Sequence, residues 1–107
     1  MRNGVYFIQA GGGEIKIGHS RNIEGRMGGL QTAVPAKLRL LAILDHQGEQ
    51  MESLLHREFA DYRLHSEWFM PGRKLLNYIR LINTADESDG EIHKLNAERI
   101  LAEKYLR

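Results

Sequence analysis

The sequence predicts an α/β fold of the α+β kind, in which a small three-stranded antiparallel sheet is flanked by helices and followed by a C-terminal helix. Two short runs rich in β-branched and aromatic residues, separated by glycines, indicate the first two strands. A third apolar run and several segments with apolar residues at helical spacing complete the pattern. With 107 residues, of which 42% are hydrophobic, the chain is expected to form one compact domain with a modest core.

The first two strands, 4–9 and 14–20, are predicted to pair as a β-hairpin. Glycines at 11–13 lie between them and permit the positive φ angles that a tight turn needs. Because a strand pair of this kind is formed by neighbours in the chain, it is expected to be the centre around which the later elements pack.

The helix after the hairpin is predicted to begin at Ser20 or Asn22, because either side chain can accept a hydrogen bond from a free amide of the first turn. Its apolar face is expected to consist of Ile23, Met27 and Leu30. Arg26 lies beside that face, where its guanidinium can reach back toward the hairpin.

The third strand is predicted over 37–45, after a break at Val34-Pro35-Ala36. Alternation places four of its residues on one face, namely Leu38, Leu40, Ala42 and Leu44. Leu41 and Ile43 lie on the other face. Apolar residues on both faces predict a central strand.

A second helix is predicted over 49–62, ending at residues 64–66. Its core stripe is expected to be Met51, Leu55, Phe59 and Tyr62. Trp68 and Phe69 then form a short apolar anchor before the third helix.

The third helix is predicted to start at Pro71, because proline is favoured at the first helical position, and to end at Asn83. Its inward residues are expected to be Leu75, Leu76, Ile79 and Ile82.

The chain is divided into a main domain, 1–85, and a tail, 86–107, that consists of an acidic hinge and the C-terminal helix. Residues 84–90 contain three acidic residues and little that is apolar, so they are predicted to be a hinge or surface loop. The helix over 91–107 has a broken apolar stripe of Ile92, Leu95, Ala102 and Leu106. Such a helix is expected to pack at the domain edge or to fray, and only sometimes to make a homodimer contact.

Charge is distributed unevenly along the chain. Up to residue 40 there are six basic residues against two acidic ones, and from residue 86 onward six acidic against four basic. If folding gathers the N-terminal bases, their surface could meet a phosphate backbone; the alternative is a solvated surface of mixed charge. No apolar run approaches the roughly 20 residues of a membrane span, and the absence of cysteine suits a reducing compartment, so a cytoplasmic location is expected.

Two strand motifs and an arginine resemble the GIY-YIG nuclease superfamily. Gly4-Val5-Tyr6 stands as the first motif and Lys16-Ile17-Gly18 as the second. Arg26 follows eight residues after the second motif, on the next helix. The order and spacing agree with the superfamily.

Within that superfamily the chain looks most similar to a phage-derived branch, the bacteriophage T5 open-reading-frame type or meiotically up-regulated protein type domain. This branch accepts a lysine, here Lys16, at the position where most members of the superfamily have a tyrosine. Glu52-x-x-Leu55-His56-x-x-Phe59 and Glu67-Trp68-Phe69 also agree with it. The resemblance extends over about residues 4–78, most of the chain.

The resemblance implies a divalent-metal-dependent endonuclease that hydrolyses DNA phosphodiester bonds. Tyr6 would help to activate the attacking water, and Arg26 would grip the phosphate with its planar guanidinium. Glu52 would bind the metal, Mg²⁺ or Mn²⁺. Lys16, in place of the second tyrosine, could contact phosphate or hold Tyr6 as a phenolate.

A histidine that completes the site is expected to come from elsewhere in the chain. The superfamily often has a histidine or tyrosine one turn after the arginine, where this chain has Leu30. His56 is favoured as the catalytic replacement, because it is the branch histidine one turn beyond Glu52. His19, beside Gly18, is the alternative.

The structural motif residues of the resemblance are Gly4, Gly18, Glu67, Trp68 and Phe69. Gly18 lets the backbone turn beneath the site. The two aromatic residues are expected to pack in the core, with base stacking as the alternative. Glu67 is expected to pair with Arg63 or Lys16.

DNA is the expected partner, and the candidates for contacting it are Lys16, His19, Arg21, Arg26, Lys37 and Arg39. The alternative function is a catalytically impaired module of the same fold that binds nucleic acid or a protein, which the changes at Lys16 and Leu30 favour. A third reading is a small regulator that acts through the C-terminal helix.

Overall fold

The computed structural model describes residues 1–84 and 90–105, with side chains described up to 84 and from 97. In chain order the elements are β1 (Gly4–Ala10), β2 (Ile15–Ser20), α1 (Ile23–Ala33), β3 (Leu38–Asp45), α2 (Glu49–Glu58), β4 (Arg63–His65), β5 (Trp68–Phe69), α3 (Arg73–Asn83) and α4 (Gly90–Tyr105). A short 3₁₀ turn, Ala60–Tyr62, joins α2 to β4.

Five strands form one antiparallel sheet within the described residues, in the order β3-β1-β2-β5-β4. The α+β class is confirmed, but the prediction of three strands was wrong. The extra strands, β4 and β5, are 3 and 2 residues long. Strands this short show no alternation in the sequence, which therefore predicts only a helix end and an apolar anchor at these residues.

The third strand, β3, lies at the edge of the sheet, and the prediction of a central strand was wrong. Side chains from α1 cover one face of β3, and α3 packs against the strand from the other side. Apolar residues on both faces of β3 therefore reflect the helices that pack on each face. They do not indicate whether the strand is central or at the edge of the sheet.

A β-bulge in β3 also changes which residues share a face. Leu41 is an extra residue that opposes no residue of β1. Because one extra residue reverses the alternation, Leu40 and Ile43 pack on one face while Ala42 and Leu44 pack on the other. Strict alternation had placed Leu40, Ala42 and Leu44 together.

The sheet separates two hydrophobic clusters. The larger cluster is covered by α2, α3 and α4, and its strand residues include Val5, Phe7, Ile15, Ile17, Leu44 and Phe69. The smaller cluster is covered by α1, and its strand residues are Tyr6, Ile8, Leu38 and Ile43. Since successive side chains alternate along a strand, Lys16 and Gly18 point to the α1 face together with Tyr6.

Helix bounds follow local hydrogen bonding. Asn22 caps α1, because its Oδ1 accepts a hydrogen bond from the Gly25 amide at 2.9 Å. The second helix ends at Glu58, earlier than the predicted Tyr62, and the chain continues as the 3₁₀ turn. Tyr62 still packs against the larger cluster.

The third helix begins at Arg73 with Gly72 as its N-cap, so the prediction that Pro71 opens it was wrong by two residues. Its buried residues are Leu75, Ile79 and Ile82, as predicted. Leu76, which was expected to point inward, is 37% exposed.

The C-terminal helix α4 packs on the larger cluster through Ala97 and Leu101, neither of which was predicted. The Tyr78 hydroxyl donates a hydrogen bond to the Ala97 carbonyl at 3.0 Å. Ala102 is only partly buried. The side chains of Ile92 and Leu95, the whole of Leu106 and most of the predicted loop at 84–90 lie outside what the structure describes. In the described part of the chain, no helix has the length and apolar character to cross a membrane.

Glu58 joins three helices. Its carboxylate accepts hydrogen bonds from Lys104 of α4 at 3.0 and 3.1 Å and pairs with Lys74 of α3. Burial raises the pKa of Glu58, but the two ammonium groups outweigh burial and hold the pKa below its usual range.

A carboxyl whose pKa is lowered by folding stabilises the protein above its unfolded pKa of about 4.3, and this stability is lost as pH falls. Glu58→Gln is therefore expected to lower the free energy of unfolding by about 1 kcal/mol near neutral pH, and by less at about pH 3. Thermal unfolding of both proteins at the two pH values tests this. A deficit in Tm that is equal at both would contradict it.

Candidate active site

The predicted catalytic and metal-binding residues meet at an open edge of the sheet. β5 pairs only with Ile15 and Lys16 of β2. Beyond Ile17, whose amide donates to the Glu67 carbonyl at 3.0 Å, no strand of the described chain lies beside β2 on that side. Because α1 covers one face of the sheet there and α2 the other, side chains from both faces can converge at this edge.

Tyr6 and Gly18 form the floor of the site. They are cross-strand partners in β1 and β2. A Cβ on Gly18 would overlap the Tyr6 hydroxyl and would lie 2.6 Å from its Cζ. Only glycine leaves room for the phenol at this position, which is the physical reason for the glycine in the second motif.

Gly4, the glycine of the first motif, is required by a different close approach. A Cβ on Gly4 would overlap the Leu44 carbonyl oxygen and would lie 3.1 Å from the Leu44 carbonyl carbon. This glycine lets β1 and β3 pair closely, and so it determines where Tyr6 lies in the sheet.

The Tyr6 phenol is fully buried and protonated at neutral pH. Burial, with smaller contributions from the carboxylates of Glu67 and Glu52, raises the pKa of Tyr6 to about 12. Arg26 opposes this rise through its charge and a hydrogen bond to the phenol. Arg26 thus reaches from α1 to the Tyr6 hydroxyl while remaining exposed to solvent.

Glu52 is a buried carboxyl in the first turn of α2, with 8% of the residue exposed. It bonds to Nδ1 of His19 from β2, and its other oxygen lies 3.7 Å from Nε2 of His56. Burial raises the pKa of Glu52, the hydrogen bond with His19 opposes the rise, and Glu67 adds to it.

Glu67, in the turn between β4 and β5, brings a second carboxyl to Glu52. Burial raises the pKa of Glu67, but hydrogen bonds from Lys16 and Glu52, and the charges of Lys16 and His56, lower it more. The contact between the two carboxyls thus adds to the rise in the pKa of Glu52 and to the fall in the pKa of Glu67. The sequence motif gave Glu67 a structural part only, whereas the structure brings it into the site.

Lys16 is neutralised by Glu67. Its Nζ donates to Glu67 Oε2 at 2.6 Å and lies 5.7 Å from the centre of the Trp68 ring. Of the two partners predicted for Glu67, the structure selects Lys16, because Arg63 donates to the Ser66 carbonyl at 2.6 Å instead. Lys16 remains a candidate catalytic residue, but its charge is already paired.

His56 connects α2 to β2 by a hydrogen bond. Its Nε2 lies 2.9 Å from the Ile17 carbonyl oxygen. Since a carbonyl oxygen only accepts, Nε2 carries the proton and donates. The ring packs on Phe69 with 5.1 Å between ring centres. The catalytic part predicted for His56 stays a prediction, and His19 lies closer to the Glu52 carboxyl.

The remaining aromatic and apolar motif residues pack in the interior. Phe69 is fully buried in the larger cluster, and Trp68 is partly buried against the smaller one. Leu30 packs on the same smaller cluster from α1.

The six predicted DNA contacts lie in two places. Lys16, His19 and Arg26 lie with Tyr6, Glu52 and Glu67 at the open edge of β2, which we call the edge site. The exposed Arg21 lies just after β2. Lys37 and Arg39 are exposed near the glycine turn between β1 and β2. The N-terminal bases are therefore not gathered on one small patch.

The carboxyls of Glu52 and Glu67 are the groups that could hold a divalent cation. Mg²⁺ prefers oxygen ligands and is usually bound by one or two carboxylates together with water and substrate phosphates. Among the described residues, no group of three or more His, Cys, Asp or Glu side chains is suited to a metal ion. A pair of carboxyls in contact fits Mg²⁺ bound mainly by water and phosphate, and does not fit a complete protein cage.

The fold and the edge site define a GIY-YIG-like, nuclease-associated domain. Among known protein families, the T5orf172 domain matches residues 3–88. The match covers most of the chain, so the protein belongs to the T5orf172 family, as its motifs predicted. Neither the curated proteins nor the solved structures provide a match.

Proposed function

We propose that the protein is a divalent-metal-dependent endonuclease that hydrolyses DNA phosphodiester bonds. The observation that carries the proposal is the meeting of Tyr6, Arg26 and Glu52, from β1, α1 and α2, at one open sheet edge. A phenol, a guanidinium and a buried carboxyl brought together by three separate elements supply the groups that phosphodiester hydrolysis needs.

Each residue has a part that matches its environment. Arg26 is exposed and planar, so it can bind two oxygens of the scissile phosphate at once. With a pKa of about 12, Tyr6 is suited to hydrogen-bond the attacking water and not to serve as a free phenolate base. Glu52 and Glu67 would hold a divalent cation, which when bound supplies positive charge at the phosphate and lowers the pKa of bound water.

The alternative is a module of the same fold that binds DNA without cutting it. Two observations favour it: the ion pair between Lys16 and Glu67, where the superfamily usually has a tyrosine, and the apolar Leu30 packed on the core.

If the protein cuts both strands of a duplex, it needs two active sites. We propose that a homodimer through α4, whose Ile100 is 53% exposed, provides them.

Plasmid nicking tests the proposal. The wild-type protein is expected to relax supercoiled plasmid in Mg²⁺ or Mn²⁺ and to lose this activity in EDTA. Arg26→Ala is expected to slow nicking about 100-fold, because a charged donor to the scissile phosphate is removed. Arg80→Ala, which removes an exposed arginine from α3, is the matched control and should nick at the wild-type rate.

Two outcomes would count against the endonuclease. Salt-sensitive DNA binding without any cleavage would favour the binding module. Cleavage that survives EDTA, or that Arg26→Ala leaves unchanged, would show that the edge site is not responsible for it.

A further inference from the structure

A second concave site lies at the glycine turn between β1 and β2. It is an open cavity of about 530 Å³ lined by Gly11, Gly12, Lys37, Leu38 and Arg39. Gly11 has a φ of +60°, and a Cβ on Gly12 would meet nothing within 4 Å. The turn therefore presents bare backbone to the cavity, with two cationic side chains beside it.

A buried amide holds one of these cations in place. Gln9 is only 8% exposed, although it lies in a strand of otherwise apolar residues. Its Nε2 donates to the Gly13 carbonyl at 2.8 Å, and its Oε1 accepts from Arg39 Nη2 at 3.3 Å. The contact uses one of the five guanidinium N–H groups, so the others remain available to a ligand.

The backbone ties the turn to the cationic segment. The Gly11 amide donates to the Lys37 carbonyl at 2.8 Å, and the Gly13 amide donates to the Ala10 carbonyl at 3.0 Å. Glu14, the acidic residue next to the turn, lies 3.7 Å from His65 on β4. No acidic residue is among those that line the cavity. Its chemistry is that of an anion site.

We propose that this cavity, which we call the turn site, binds a phosphate of the DNA backbone that is not the one being cut, with Arg39 and Lys37 as ligands and Gln9 as a positioning residue. The proposal rests on the proposed function only in taking DNA as the ligand. It assigns the turn site to affinity and placement of the duplex and gives it no part in bond cleavage.

The position of the turn site predicts the length of DNA that reaches both sites. From Tyr6 to Gly11 the chain advances five residues, and β3 lies two strand positions from β2. At about 3.4 Å per residue and about 4.8 Å per strand, the two sites are roughly 20 Å apart. This separation corresponds to about six base pairs along a duplex.

Fluorescence anisotropy with a labelled duplex in EDTA, where no metal-dependent cleavage occurs, tests the turn site. Arg39→Ala is expected to raise Kd about fivefold and to reduce the slope of log K against log salt by about 0.9, the value for one phosphate contact. Arg80→Ala removes the same charge from α3 and should leave both unchanged. An unaltered Kd and slope for Arg39→Ala would overturn the proposal.

Gln9→Leu tests the positioning of Arg39. The variant keeps a similar volume in the strand and removes both hydrogen bonds of the amide. It is expected to reduce the salt slope as Arg39→Ala does, and the double variant should bind no more weakly than Arg39→Ala alone. A purely structural part would change Tm without changing the salt slope, and that result would overturn the assignment of Gln9.

Two further arms identify the ligand. On hairpin duplexes of about 4 base pairs the effect of Arg39→Ala should be at most about twofold, against about fivefold at about 14 base pairs. An equal effect at both lengths would place Arg39 at the cutting site and overturn a separate site. If Arg39→Ala abolished binding of free ATP but left DNA binding intact, the cavity would be a nucleotide site, which also overturns the proposal.

The turn site and the endonuclease can fail separately. If the wild-type protein cuts no DNA and Arg39→Ala still weakens binding, the turn site stands and the nuclease falls. If the wild-type protein nicks plasmid in Mg²⁺ and Arg39→Ala binds DNA as tightly as the wild type does, the endonuclease stands and the turn site falls.

Discussion

Gly18→Ala is expected to slow plasmid nicking about 100-fold and to lower the free energy of unfolding by about 2 kcal/mol. The added Cβ would overlap the Tyr6 hydroxyl, and because the Tyr6 ring is fully buried, it can move aside only by displacing its neighbours. Displacing the phenol by even about 1 Å separates it from Arg26 and from the attacking water, and such misplacement costs about 100-fold in rate. Nicking rates and denaturant unfolding of the variant measure both effects.

Gly28→Ala is the matched control for this substitution. Gly28 lies in α1, and a Cβ there would meet nothing within 4 Å. Because alanine favours a helix over glycine, this variant should gain up to about 1 kcal/mol in stability and keep its activity. Combining Gly18→Ala with Tyr6→Phe should recover part of the lost stability and none of the activity. Full activity in Gly18→Ala alone would refute the placement of Tyr6 in the site.

Glu52→Gln is expected to remove metal-dependent cleavage, by a factor of about 1000 or more. The amide has the shape of the carboxyl, and its NH₂ group can still donate to Glu67 while its oxygen accepts from His19. The fold should therefore be preserved, whereas the negative charge that would attract a divalent cation is lost. Nicking in Mg²⁺ gives the rate, and Mn²⁺ binding followed by electron paramagnetic resonance gives the affinity.

Glu49→Gln provides the comparison, because Glu49 is an exposed glutamate in the same first turn of α2. It should bind Mn²⁺ and nick DNA as the wild type does. Wild-type Mn²⁺ affinity in Glu52→Gln would show that the cation is held elsewhere, and an equal loss in both variants would point to a general effect of charge on the helix.

Local signals in the sequence predicted most of the fold. The glycine turn, the Asn22 cap and most stripe residues of the first three helices depend on residues close in the chain, and these features appear where they were expected. The lateral position of β3 depends on which strands pair, and the bulge at Leu41 depends on a mismatch between two strands. The spacing of apolar residues along one strand predicts neither the position of β3 in the sheet nor the bulge.

In the candidate site, too, features that depend on nearby residues were predicted, and features that depend on distant residues were not. Tyr6, Gly18 and Arg26 are near one another in sequence, and their motif was enough to predict that they meet. Glu67 was expected to have only a structural part, because its approach to Glu52 depends on a short strand pair that the sequence does not reveal. Gln9 was not predicted at all, although an amide within a run of apolar strand residues was the available signal.

The bulge in β3 also disfavours the pairing of this edge strand with the same strand of another molecule. An edge strand offers free backbone groups that another molecule can extend into a longer sheet, the first step of aggregation. In β3 the extra residue interrupts the regular ladder, and Asn83 Nδ2 donates to the Leu41 carbonyl at 2.7 Å. The exposed charges of Arg39 and Asp45 lie toward the two ends of the same strand. The β3 edge of the sheet is thus less suited to strand addition, while beyond Ile17 no strand of the described chain lies beside β2 at the candidate active site.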